Sequence, residues 1–110
     1  MRTALSIIEN FNERVTNQDI IPSDQWMQAA QFLNVLIGTE QYKLAETEQA
    51  YTQVALNNME NGDTNALAEK KAKVSPEFIQ FKRQQAFVKQ IEEFIRLAKK
   101  QATITHEQGS

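Results

Sequence analysis

The sequence contains no cysteine, and this absence excludes several kinds of chemistry. A chain without thiols has no disulfide bond, no thiolate nucleophile and no thiolate metal site, and redox chemistry does not indicate its compartment. Long apolar runs are also missing. The run from Leu5 to Ile8 is followed by Glu9 and is too short for a signal-peptide core or a membrane span. We therefore expect a cytoplasmic protein that does not contact a membrane.

Glycine and proline are scarce, with three and two residues among 110. Alanine, glutamate, glutamine and lysine, which favour helices, dominate the second half, whereas valine, isoleucine and threonine are too scattered to form several strands. The chain is 41% hydrophobic and 24% charged, which is neither a disordered nor a membrane composition. These features predict one all-α domain that covers residues 1–110.

Helical spacing and turn residues divide that domain into segments. Pro22 separates a short amphipathic helix from a long one, Asn61 and Gly62 supply a turn, and Ser75 and Pro76 start another helix. The order predicts a short N-terminal helix followed by a long antiparallel, coiled-coil-like helical hairpin. We expect a helix at about 2–16, a long helix at about 24–61, a turn at 61–64, a linker or short helix at 65–74, a helix at about 76–103 and a tail at 104–110.

Apolar residues recur along the two long helices at the spacing of a helix-packing seam. Phe32, Val35 and Leu36 widen the apolar face of the first long helix. Because two helices cannot enclose each other, we expect oligomerisation, first of all a dimer, to cover the remaining apolar surface. The residues predicted to form this protein interface are Trp26, Leu33, Ile37, Gly38, Glu40, Val88, Ile91, Phe94 and Ile95.

Polar residues interrupt this seam and raise the question of an active site. Glu40 and Glu48 share a helix face, and carboxylates on facing helices hold metal ions in some four-helix bundles. Those sites also need histidines on partner helices, and the single histidine, His106, lies in the predicted tail. The sequence therefore predicts no catalytic residue, no metal ligand and no cofactor. We interpret the two glutamates as seam positions that set register or pair with basic residues of the last helix.

Gly38 needs a structural reason, because a glycine within a helix costs about 1 kcal/mol relative to alanine. We expect close approach of a facing aromatic side chain, with Phe87 or Phe94 as candidates, and a kink is the alternative. We do not expect a phosphate-binding loop, since Gly38 has neither a second glycine close to it nor a Lys-Ser/Thr pair after it.

Charge is distributed unevenly along the chain. Residues 1–65 carry nine acidic and three basic side chains, whereas residues 66–110 carry five acidic and nine basic ones. A basic helix face can neutralise phosphates, which makes nucleic-acid binding the alternative function. Against it, Glu92 and Glu93 interrupt the series, and the acidic long helix offers a partner within the chain. The possible nucleic-acid contacts are Lys82, Arg83, Lys89, Arg96, Lys99 and Lys100.

Two stretches, LIGTEQYKLAETEQAY and KVSPEFIQFKRQQAFVKQIEEFIRLAKK, carry a resemblance. The first stretch contains Gly-Thr-Glu and Lys-Leu-Ala, and the second contains Ser-Pro-Glu-Phe and then Glu-Glu-Phe-Ile-Arg before paired lysines. With these motifs, the two stretches resemble small helical proteins of tailed bacteriophages and prophages, often encoded in early or recombination regions. The resemblance implies an accessory protein of the host cytoplasm and implies no activity. Together with the uncovered apolar stripe, it predicts a non-enzymatic protein that binds an unknown host or phage protein.

Overall fold

The computed structural model describes residues 3–109, with side chains up to Ile104. In this part of the chain the helices are α1 (Ala4–Thr16), α2 (Ser23–Glu60), α3 (Asn65–Ala72) and α4 (Pro76–Gly109). The two long helices, α2 and α4, pack antiparallel. This confirms the predicted all-α fold, with a short N-terminal helix and a long helical hairpin.

Local hydrogen bonds explain where α1 begins and ends. Thr3 and Ser6 form a reciprocal capping box, in which each hydroxyl accepts the backbone N–H of the other residue, at 3.1 Å and 3.0 Å. After Thr16, Gln18 takes a left-handed φ of 61°, and its N–H donates to the Val15 carbonyl at 3.0 Å. The helix therefore stops before the loop that leads to α2.

Turn and cap residues separate α2, α3 and α4. Gly62 has a φ of 101°, and its N–H donates to the Met59 carbonyl at 3.0 Å. The chain thus leaves α2 through a left-handed conformation that glycine adopts at little cost. Thr64 caps α3, and the Ser75 hydroxyl accepts the N–H of Phe78 at 3.3 Å at the start of α4.

Helix α4 extends to Gly109, beyond the predicted end near residue 103. The segment from 104 to 108 contains neither proline nor glycine, and Glu107 and Gln108 both favour a helix. The backbone of the predicted tail is therefore helical as far as Gly109.

The chain divides into two compact units, and the first contains α1, α2 up to Gly38 and α4 from Lys89 onward. Three aromatic rings form the centre of its core: the Phe11 ring centroid lies 4.9 Å from that of Trp26 and 5.9 Å from that of Phe94. One ring comes from each helix, so the three helices share one core. Other buried apolar residues of this unit include Ala4, Ile7, Ile8, Ile21, Ala29, Ala30, Leu33, Ile91, Ile95, Ala98 and Ala102.

The second unit, Thr39–Val88, contains the rest of α2, all of α3 and the start of α4. Its aromatic cluster joins α2 to α4: the Tyr51 ring centroid lies 4.9 Å from that of Phe78 and 5.9 Å from that of Phe81. The buried residues that α2 and α3 contribute to this unit include three alanines: Ala55 of α2, and Ala68 and Ala72 of α3.

Candidate functional site

Most residues predicted to form an interface between chains are buried inside a single chain. Each of Trp26, Leu33, Ile91, Phe94 and Ile95 is at most 7% exposed in the first unit, and Val88 is 5% exposed in the second. In the first unit α1 contributes to this cover, because Phe11 packs on both Trp26 and Phe94. Side chains buried to this extent have no surface left for a second chain. We therefore correct their assignment from an intermolecular interface to the core of the chain itself.

Glu40 also makes its main contacts within the chain. The Gln84 side-chain amide donates to the Glu40 backbone carbonyl at 2.9 Å and to its carboxylate at 2.8 Å. Lys43, on the same helix, lies 3.4 Å from the carboxylate, and the Glu40 side chain is only 16% exposed. Glu40 therefore accepts hydrogen bonds from a neutral amide of the last helix and does not pair with a basic residue of that helix. Its neighbour in the predicted interface, Ile37, is half-buried in the first unit.

The prediction that a phenylalanine packs closely against Gly38 is wrong. Gly38 is exposed, and a Cβ placed on it would meet no other atom within 4 Å, apart from its own helical turn and chain neighbours. Neither Phe87 nor Phe94 therefore needs a glycine at this position. The residue leaves open space on the outer surface of α2.

A groove lies between α1 and the first part of α2 in the first unit. Its volume is about 860 Å³, which lies in the usual range of about 300–1,000 Å³ for binding sites. The lining side chains are mostly apolar or neutral amides. They are Ser6, Ile7, Asn10, Phe11 and Arg14 from α1, and Gln25, Gln28, Ala29, Gln31, Phe32 and Val35 from α2. We call this feature the α1–α2 groove.

Two large apolar side chains of the α1–α2 groove remain exposed. Phe32 is 47% exposed and Val35 is 78% exposed. They are three residues apart on α2, so they lie side by side on one helix face. The sequence signal for them was the extra width of the apolar face beside the seam. Spacing alone did not show that these residues, rather than those of the seam, stay uncovered.

The wall that α1 contributes to the groove is held by Arg14. Its Nη1 donates to the Gln25 side-chain oxygen at 2.8 Å, and its guanidinium carbon lies 5.7 Å from the centroid of the Phe11 ring. The hydrogen bond to Gln25 links the last turn of α1 to the first turn of α2. Arg14 therefore fixes the width of the groove at this end, and its guanidinium group is hydrogen-bonded within the chain.

The basic residues of α4 are exposed in both units. Lys82 and Arg83 belong to the second unit, and Lys82 donates to the Gln85 side chain at 2.9 Å. Lys89, Arg96, Lys99 and Lys100 belong to the first unit and are all exposed. Within residues 3–104, the ion pairs are Lys43 with Glu40 and Lys71 with Asp63. No salt bridge from α2 neutralises the predicted nucleic-acid contacts among these residues.

In the part of the chain that the structure describes, no three or more His, Cys, Asp or Glu residues lie together in a group that could hold a metal ion. Glu48 is exposed, and the side chain of His106 lies outside the described residues. Among the described helices, none combines the length and apolarity that crossing a membrane requires.

Comparison with known proteins identifies no relative. No protein-family model, curated protein or solved structure matches the chain. The chain is thus a small all-helical protein without an identified family, and the resemblance to phage proteins stays a prediction.

Proposed function

We propose that this protein is a non-enzymatic binding module, and that the α1–α2 groove is the surface through which it contacts another protein chain. The exposure of Phe32 and Val35 carries the proposal. Both belong to the first unit, but neither is part of its aromatic core, which Phe11, Trp26 and Phe94 form without them. Burying exposed apolar surface is worth roughly 25 cal/mol per Å², and adjacent apolar residues beside a groove are typical of interaction sites.

The chemistry of the α1–α2 groove suits a helix of a partner protein. Its apolar side chains offer packing surface, and the amides of Asn10, Gln25, Gln28 and Gln31 can donate and accept hydrogen bonds. An amphipathic helix that docks into such a groove buries its apolar face and keeps its polar edges at the rim. A fourth helix in this position would cover Phe32 and Val35.

The phage resemblance supports a cellular context for this module. A small helical accessory protein of a phage would act in the bacterial cytoplasm and change the behaviour of a host or phage protein by binding it. The resemblance supplies this context, whereas the groove supplies the contact surface.

The experiment uses the tagged chain to capture proteins from a bacterial lysate, with variants that change single exposed side chains. Phe32→Glu or Val35→Glu places a charge in the groove and is expected to abolish capture. Leu56→Glu is the matched control, because Leu56 is 44% exposed and lies in the second unit. Capture that survives both groove changes, or is lost equally with Leu56→Glu, contradicts the proposal. Circular dichroism verifies that each variant is helical.

Nucleic-acid binding is a second candidate function, because Lys89, Arg96, Lys99 and Lys100 are exposed on one helix without an acidic partner in residues 3–104. Phosphate contacts by such residues weaken steeply as salt increases. Fluorescence anisotropy with single- and double-stranded DNA tests this function. Salt-sensitive binding that Arg96→Gln and Lys100→Gln weaken supports it, and absence of binding at low salt excludes it.

A further inference from the structure

The turn between α2 and α3 contains an Asn-Gly pair. The sequence has eight asparagines, and Asn61 is the one that a glycine, Gly62, follows. In spontaneous deamidation, the backbone nitrogen of the next residue attacks the side-chain carbonyl carbon of the asparagine. A side chain on that next residue hinders the attack, and glycine has none. The attack on Asn61 is therefore the least hindered that this sequence offers.

The structure leaves the Asn61 side chain available for this reaction. Asn61 is exposed just beyond the last residue of α2, and no hydrogen bond among the described residues involves its side chain. By contrast, the Asn57 side chain, within α2, accepts a hydrogen bond from Gln53 at 2.9 Å. The Asn58 side chain donates one to the Ala68 carbonyl at 3.4 Å. Asn61 thus has a freer side chain than the neighbouring asparagines of α2.

Two backbone hydrogen bonds hold the turn, and both must break before the Gly62 nitrogen can reach the Asn61 side chain. The Gly62 N–H donates to the Met59 carbonyl at 3.0 Å. The Asp63 N–H donates to the Asn58 carbonyl at 3.1 Å. Helix ends open easily, and breaking two exposed hydrogen bonds slows a reaction by at most roughly a hundredfold. The turn therefore delays the attack and does not prevent it.

We propose that Asn61 is a site of non-enzymatic modification, at which the side-chain amide becomes a carboxylate. The Gly62 nitrogen loses its proton and bonds to Cγ of Asn61, the bond from Cγ to Nδ2 breaks, and ammonia leaves. Water then opens the resulting succinimide ring at either carbonyl, which gives aspartate or isoaspartate. The reaction consumes one water and releases one ammonia. The site belongs to the second unit and is independent of the function proposed for the α1–α2 groove.

The new carboxylate lies at an unfavourable end of α2. The C-terminal end of a helix carries partial negative charge, and the last turn of α2 contains Glu60 but no basic residue. Lys71 is already paired with Asp63 at 2.9 Å. Isoaspartate also lengthens the main chain by one carbon in the turn that joins α2 to α3. Both changes are expected to weaken the contact between these helices, which includes the hydrogen bond from Asn58 to Ala68.

The test incubates the folded protein at physiological temperature and follows each asparagine by peptide mass spectrometry. Asn61 is expected to convert before every other asparagine, to both aspartate and isoaspartate, whereas Asn57 and Asn58 stay unchanged. The rate is expected to rise with pH, because the attacking nitrogen must lose its proton. The chain unfolded in urea is the reference, and folding is expected to slow Asn61 by no more than roughly a hundredfold.

Asn61→Gln is the matched control, because its longer side chain closes a six-membered ring far more slowly. Amide hydrogen exchange in α3 is expected to become faster in the aged protein and to stay constant in aged Asn61→Gln protein. An Asn61 that stays intact while the unfolded chain converts overturns the proposed site. Aspartate without isoaspartate overturns the route through the ring, and equal exchange in modified and unmodified protein overturns the predicted loosening of α3.

Discussion

The amide of Gln84 on α4 holds Glu40 on α2 by two hydrogen bonds, one to the backbone carbonyl at 2.9 Å and one to the carboxylate at 2.8 Å. The two residues are 44 positions apart in the sequence, so the pair fixes one register between the antiparallel helices of the second unit. A shift of either helix by one turn would break both bonds. Glu40 is thus a polar seam position with a defined structural role.

Gln84→Ala is expected to lower the free energy of unfolding by about 1–2 kcal/mol, because it removes a donor from a largely buried carboxylate. Gln80→Ala is the control, since Gln80 is exposed on the same helix and its loss is expected to cost less than about 0.5 kcal/mol. Denaturant titration followed by circular dichroism measures both values. Equal effects of the two substitutions would show that the hydrogen bonds do not set the register.

Gly38→Ala is expected to raise the free energy of unfolding by up to about 1 kcal/mol, since alanine favours the helix and its Cβ meets open space. Gly62→Ala is expected to lower it by about 1–2 kcal/mol, because the φ of 101° strains any residue with a Cβ. The same denaturant titration compares the two variants. A loss of stability with Gly38→Ala would revive the close contact that the structure excludes.

Phe94→Ala is expected to lower the free energy of unfolding by about 3–5 kcal/mol, because it leaves a cavity between Phe11 and Trp26. The emission of Trp26, the single tryptophan, is expected to shift to longer wavelength as water reaches the ring. Leu97→Ala on the same helix removes a half-exposed side chain and is expected to leave the emission unchanged. Identical spectra for the two variants would argue against the three-ring core.

Local sequence signals predicted the elements of this fold well. Ser75 and Pro76 mark the start of α4 because capping and proline geometry depend on neighbouring residues only. Gly62 marks the end of α2 for the same reason. Such signals do not require knowledge of which other segment lies nearby, and this is why helix order followed from the sequence.

Local signals of this kind could not predict which apolar residues form the core of one chain and which stay exposed to a second chain. Periodicity showed that Trp26 and Phe94 lie on apolar faces, but it did not show that Phe11 of α1 packs against both of them. The prediction therefore assigned core residues to an interface. Conversely, the sequence placed Phe32 and Val35 next to the apolar seam of α2. Only the packing of the helices shows that these two side chains remain exposed.

The most direct test of the account is site-specific photo-cross-linking in cells that produce the protein. A photoreactive residue replaces Val35 in one variant and Leu56 in another, and adducts are detected after irradiation. A binding site in the α1–α2 groove predicts a covalent adduct with a protein chain from position 35, lost when Phe32→Glu is added, and no such adduct from position 56. No adduct from position 35, or the same adducts from both positions, would contradict a binding site in the α1–α2 groove.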